Sequence, residues 1–317
     1  MKNHKKRVIV ACIAVILALS GGELVARLLL GLGTPPLTIT HPRIEYMFRP
    51  DQDVSRFGNR ILINHYGMRT EPFSRHAPDE FRIMVFGDSV INGGNLTDHT
   101  RLATTIVHDE LAERTSGKVV VGNISAGSWG PGNWLAYAQE YGFFNALIVV
   151  LVISSHDSAD NPTFGALDEQ THPTRRPLSA LIEGLTRYLP RYLPQQSSTD
   201  GVHTPDESGR STDKEIGKDE AQGLENLKNF LFAAKQGARY VLVLQHWEKE
   251  EIEKEEAQPG NRHIRDLCLS MGISPIQLAP YFSRSLQSGS NPYRDTIHPN
   301  DVGQRLIATA ILENLPK

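Results

Sequence analysis

Hydrophobic and polar positions divide the chain into three stretches of different pattern. The first contains "VIVACIAVILALS", Val8 to Ser20, thirteen residues without a charge behind the basic "MKNHKKR". Apolar character resumes in "GGELVARLLLGLG", broken by Glu23 and Arg27. Four residues apart, these two can pair on one helix face. The basic start, the short apolar run and Ala18-Leu19-Ser20 fit a cleavable signal peptide. Val8 to Gly33 taken whole is long enough to span a bilayer as an anchor. Residues 1–33 are read as that anchor, because apolar residues continue directly after the cleavage position. Both readings export the remainder and leave the basic end in the cytoplasm.

Residues 34–80 are Pro-rich and polar, with one ordered piece, "RFGNRILINHYGMR". Ile61 and Ile63 have the period of two that predicts a short strand pair, so this stretch reads as a stalk that packs on the main domain. Residues 81–317 change pattern again. "RIMVFG", "KVVVGNIS", "ALIVVLVIS", "RYVLVLQ" and "ISPIQL" read as strands. The third is almost continuously apolar, which predicts burial on both faces. Between them lie stretches of helical period: "TRLATTIVHDELAERT", "GNWLAYAQEYGFF", "AQGLENLKNFLFAAKQGA", "RHIRDLCLSMG" and, closing the chain, "DVGQRLIATAILENL". Alternation of this kind predicts an α/β fold with a mostly parallel sheet between helix layers. "PLSALIEGLTRYLPRYL" predicts a helix interrupted near Pro190. Residues 194–220 are polar without an apolar period and read as a mobile inserted loop.

Composition changes this picture little. In 317 residues the formal net charge is −3, so no nucleic-acid footprint is visible. Of the two cysteines, Cys12 lies in the apolar run, which leaves Cys268 without an internal disulfide partner. No Cys/His cluster has zinc spacing and no glycine loop has the P-loop ending, so neither metal nor cofactor is expected. The acidic run "EKEEIEKEE" reads as a solvated helix face. Trp129 and Trp134 read as core or rim, while His246 and Trp247, at a strand end, could line a pocket.

In an open α/β sheet, sites gather at the carboxyl ends of the strands. Three strands here run into polar clusters: Gly87-Asp88-Ser89, "NISAGSWGPGN" and "SSHDSADN". A fourth cluster, "DTIHPND", precedes the last helix. Alone, each has a bland explanation. Asp88 or Ser89 can simply cap a helix, and an Asp-x-x-His pair recurs at Asp200 and His203. In this order, however, the clusters resemble the GDSL-type, or SGNH, hydrolase family. Its first block is matched by Gly87-Asp88-Ser89 and its last, Asp-x-x-His-Pro, by Asp295-Thr296-Ile297-His298-Pro299. The resemblance covers about residues 81–317 and implies a flavodoxin-like three-layer sandwich with five parallel strands.

It also implies roles. A serine hydroxyl needs a base within hydrogen-bond reach. His298 would take the Ser89 proton and Asp295 would hold the ring and stabilise the imidazolium. The rival elbow Gly-x-Ser-x-Gly fails at Ile91. The middle blocks depart from the family pattern. Its oxyanion-binding Gly falls on Ser128, with Gly127 one residue before, and its Asn falls on His156. The implied oxyanion hole is the Ser89 N–H, an N–H at Gly127 or Ser128, and the His156 ring. The resulting expectation is an exported, membrane-tethered serine esterase acting on carboxylic esters, acetyl esters above all, of small molecules or cell-surface glycans. An O-acetyltransferase of polysaccharide and an idle glycan-binding protein are the alternatives.

Overall fold

The computed structural model describes residues 2–75, 79–189 and 213–316. Helix α1 (Lys2–Leu28) carries an apolar stretch, His4–Leu28, long enough for a membrane anchor or a signal sequence. Two antiparallel hairpins follow: β1 (Thr38–His41) with β2 (Glu45–Phe48), and β3 (Gln52–Arg56) with β4 (Asn59–Ile63). The second turns at Phe57 and Gly58, with φ of 51° and 81°. Positive φ at both central residues is what a tight hairpin turn requires. Ile44, Met47 and Met68 are fully buried in the core that covers one face of the main sheet. This region thus packs on the main sheet through those residues.

The main sheet contains β5 (Glu80–Gly87), β6 (Lys118–Ser125), β7 (Ile148–Ile153), β8 (Tyr240–Gln245) and β9 (Ile276–Gln277), all parallel, in the order β6-β5-β7-β8-β9. Along β5, Ile83 and Val85 enter one core while Met84 and Phe86 enter the other. Successive strand side chains point to opposite faces, so a strand buried on both sides must be apolar throughout. The short α2 (Ser89–Asn92) follows β5. On one face lie α3 (Ala103–Arg114), α9 (Ala279–Gln287) and α10 (Asp301–Glu313), which contribute Val107, Phe282 and Ile307. On the other lie α4 (Pro131–Tyr141), α6 (Asp213–Gly237) and α8 (Pro259–Ser270), which contribute Trp134, Phe230 and Ile264. The three-layer α/β/α sandwich expected from the alternation is the architecture found. Its order reverses direction between β5 and β7, which opens a crevice at their carboxyl ends.

Several elements differ from expectation. Residues 213–220, expected in a loop, are the first turns of α6. Lys and Glu are good helix formers. The rest of that polar stretch from residue 194, with Asp200 and His203, lies outside the described residues. The helix expected to be interrupted near Pro190 is α5 (Ala180–Glu183), continued as a π-helix over Gly184–Tyr188, and Pro190 itself lies outside the described residues. β9 has only two residues, since Pro275 before it has no N–H to give a ladder. Nor is the acidic run wholly solvated. Within α7 (Lys249–Lys254), Glu251 and Ile252 are buried, and Glu251 accepts hydrogen bonds from the Glu248 N–H and the Asn261 amide. Trp129 and Trp134 are core residues.

Candidate active site

The turn after β5 decides which side chain caps and which stays available. A Cβ at Gly87 would lie 2.7 Å from Ile91 Cγ2 and 2.9 Å from the Val152 carbonyl oxygen, so only glycine fits. Asp88 is the N-cap, with Oδ1 accepting from the Val90 N–H at 2.9 Å. Ser89 is the first helical residue, and its hydroxyl is not used for capping. Arg69 holds the loop that follows. Its buried guanidinium donates to the carbonyls of Asn92 and Thr97, and to that of Gly94 at 2.6 Å.

The loop before α10 approaches the same hydroxyl. His298 Nε2 is 3.0 Å from Ser89 Oγ, and His298 Nδ1 is 2.8 Å from Asp295 Oδ2. The other carboxylate oxygen of Asp295 accepts the N–H groups of Ile297 and His298 at 2.9 and 2.8 Å. An aspartate three residues before the histidine therefore orients the ring and the loop together. Partial burial works against the Asp295 charge, but these hydrogen bonds overcome it and hold the carboxyl well below its usual range. A depressed pKa means stability that is complete above the unfolded value near ~3.9 and lost as pH falls below it. The gap in urea midpoint between the native protein and Asp295→Asn is expected to shrink between pH 6 and pH 3. An unchanged gap would refute the assignment. His246 sits beneath this loop, fully buried, with Nε2 2.8 Å from the Ile297 carbonyl. Burial pushes its ring down to about 4, so it is neutral, and it must donate from Nε2. It braces the loop instead of lining the pocket.

On the β6 side, Ser128 has φ of 57°, the left-handed region natural to glycine. Holding serine there costs about 1–2 kcal/mol. The Gly127 carbonyl accepts from the Tyr46 hydroxyl and the His172 ring, whose centroids are 4.3 Å apart. In a planar trans peptide the N–H opposes the carbonyl. Pinning the Gly127 oxygen therefore fixes the direction of the Ser128 N–H.

His156 is placed differently from a direct oxyanion donor. Its Nε2 lies 3.1 Å from Asp88 Oδ2 and 3.6 Å from Asp157 Oδ1, and its Nδ1 lies 3.6 Å from Glu248 Oε1. Burial alone would lower its pKa, but the Asp157, Asp88 and Glu248 carboxylates hold it well above the usual histidine range. Asp88 is buried too, and the His156 ring keeps it ionised. Asp157 goes the other way, raised by burial and by the neighbouring Asp88 charge. Donor atoms of Asp88, His156 and Asp157 lie within 4.8 Å of one another, which is metal-ligand spacing. The direct His156–Asp88 bond already engages two of those three groups.

Two cavities meet at Ser89. One, of about 150 Å³, is lined by Tyr46, Asn92, Gly127 and His172. The other, of about 320 Å³, is lined by Phe57, Tyr188, Arg294, Asp295 and His298. His156 lines neither. Tyr46, Arg69 and His172 carry no local motif, and only the tertiary contacts reveal them.

No family model matches the sequence, and no curated protein matches it. Solved structures are similar in fold. An alpha/beta hydrolase enzyme from the metagenome of Lake Arreo, Spain, is 15% identical with a TM-score of 0.46, over 75% of this chain and 94% of its own. A member of the lipolytic protein G-D-S-L family from Veillonella parvula is 13% identical with a TM-score of 0.42, over 74% and 97%. A catalytic mutant of an acetylxylan esterase from Geobacillus stearothermophilus is 10% identical with a TM-score of 0.45, over 75% and 94%.

Proposed function

We propose that the protein is a membrane-tethered serine esterase of the SGNH type, working outside the cytoplasm on acyl esters that include those of glycans. The observation that carries this reading is the continuous hydrogen-bonded chain from Ser89 Oγ through His298 to Asp295, at 3.0 and 2.8 Å. His298 removes the hydroxyl proton as Ser89 attacks the ester carbonyl. The same ring returns it to the departing alcohol, and water then releases the acid from the acyl-serine. Asp295 stabilises the imidazolium. The N–H groups of Ser89 and Ser128 receive the oxyanion, and each donor of this kind is worth about 3–4 kcal/mol in the transition state. Hydrolysis of an aryl acetate, with stoichiometric labelling of Ser89 by a phosphonofluoridate, tests the reading. A folded protein that neither hydrolyses the ester nor takes the label would overturn it.

His156 acts through Asp88. Its positive ring fixes the buried carboxylate that caps α2, and with it the Ser89 turn. His156→Gln is expected to slow turnover about 10- to 100-fold with little change in KM, because the contact is to the turn and not to substrate. The raised pKa fixes the sign of the pH effect. The stabilisation is complete below the unfolded value near ~6.5 and lost as pH rises through the folded value. Native and variant melting temperatures should therefore converge on the alkaline side. Convergence on the acid side would contradict the imidazolium assignment.

A further inference from the structure

Helix α5 and its π-helical continuation present an apolar face that the core does not use. Leu178, just before the helix, and Ile182, Leu185 and Leu189 along it are 100%, 60%, 52% and 42% exposed. Ala180 and Glu183, on the opposite side, are buried. This element is joined to the membrane helix. Glu23 of α1 accepts from the Ser179 hydroxyl and from the N–H groups of Ala180 and Leu181, so a side chain of α1 caps α5. Arg27 donates to the Leu178 carbonyl, and Gly22 faces Leu181. The exposed stripe is thereby held beside α1, whose own Leu24, Val25 and Leu28 are exposed. Arg175 and Arg176, both exposed, flank it.

A cleft of about 640 Å³ opens along this element, lined by Leu178, Ile182, Arg175, Arg176, Pro173 and Arg187 among others. Pro173 and Arg187 also line the smaller cavity at Ser89. Tyr188, one residue on, lines the larger. One short helix thus carries an apolar outer face, a cationic flank and part of the wall of both cavities.

We propose that the Leu178–Leu189 face beds into the surface of the bilayer that holds α1, with Arg175 and Arg176 against lipid phosphates, and that the site takes its ester from an amphiphile resident in that bilayer. The substrate part of this proposal rests on the esterase reading, while the interface part does not. A helix with leucines on one face and basic residues beside it lies in the interfacial plane, held by apolar burial and by attraction to anionic headgroups. Anchoring by α1 fixes which bilayer that is.

The test uses the full chain, with Cys12→Ser, in vesicles of phosphatidylethanolamine and phosphatidylglycerol. Nitroxide labels are placed at Leu185→Cys and, as a control of equal exposure, at Leu269→Cys; the native residues are 52% and 51% exposed. The Leu185 label is expected to collide preferentially with oxygen, which concentrates in the bilayer, and the Leu269 label with a water-soluble nickel chelate. Equal nickel access at both positions would overturn the interface. In the same vesicles, the rate on a long-chain alkyl acetate relative to a water-soluble aryl acetate should fall about tenfold in Leu185→Asp/Leu189→Asp, as expected when apolar area leaves an interface. An unchanged ratio would overturn the substrate assignment. Absence of hydrolysis of both esters would sink the esterase reading and the substrate assignment with it, while the label result would still decide the interface.

Discussion

Ser89→Ala is expected to lower kcat for an aryl acetate by about 10⁴-fold or more, since removal of a triad nucleophile costs on the order of 10⁶ where it has been measured. The fold should survive. Asp88, not Ser89, caps α2 through the Val90 N–H, so the substitution removes the partly buried contacts of the hydroxyl to His298 and to Asp88 Oδ2, and no cap. The stability change should stay within about 1 kcal/mol. His298→Ala should cost a similar factor, and the double variant little more, because nucleophile and base act as one unit. Measuring the three variants beside the native protein distinguishes this from a structural role. Multiplying penalties, or a Ser89→Ala variant that keeps a tenth of the rate, would show that Ser89 is not the nucleophile.

Glu183→Ala is expected to cause the largest loss of stability. Arg56 and Glu183 form an ion pair at 2.7 Å with side chains 0% and 5% exposed. Glu183 also accepts the Gly33 N–H, and Arg56 donates to the Gly31 carbonyl and the Tyr188 hydroxyl. The pair therefore joins the stretch that follows α1, the second hairpin and α5. Removing the carboxylate strands a buried guanidinium, which costs about 3–5 kcal/mol. For a chain of this size that corresponds to a fall in Tm of roughly 10 °C, read by thermal unfolding in detergent. Replacing both partners, as Arg56→Met with Glu183→Leu, should recover most of the loss, because no charge is then left without a partner. A single variant within about 1 kcal/mol of the native protein would show that water reaches the pair.

Part of this protein was legible in its sequence for physical reasons. The apolar runs "RIMVFG" and "ALIVVLVIS" had to be strands covered on both faces, and helical periods between them left a parallel sheet as the arrangement. α1 was readable because a membrane-length apolar helix needs no tertiary context. Asp295 and His298 sit three residues apart, so their mutual geometry is a local property of one loop. Other features depended on distance in space. Whether the Ser89 hydroxyl met a base turned on where the loop before α10 came to rest, 209 residues later in the chain. His156 stands in the polar cluster after β7, yet the fold surrounds it with Asp88, Asp157 and Glu248, and that surrounding decides its charge. The hairpin of residues 38–48 has too few residues to reveal a period, and it exists because Ile44 and Met47 complete a core built by later helices. Local sequence determined the elements and the spacing within one loop. Burial and charge at the site were decided by tertiary structure, because both depend on neighbours that only folding brings together.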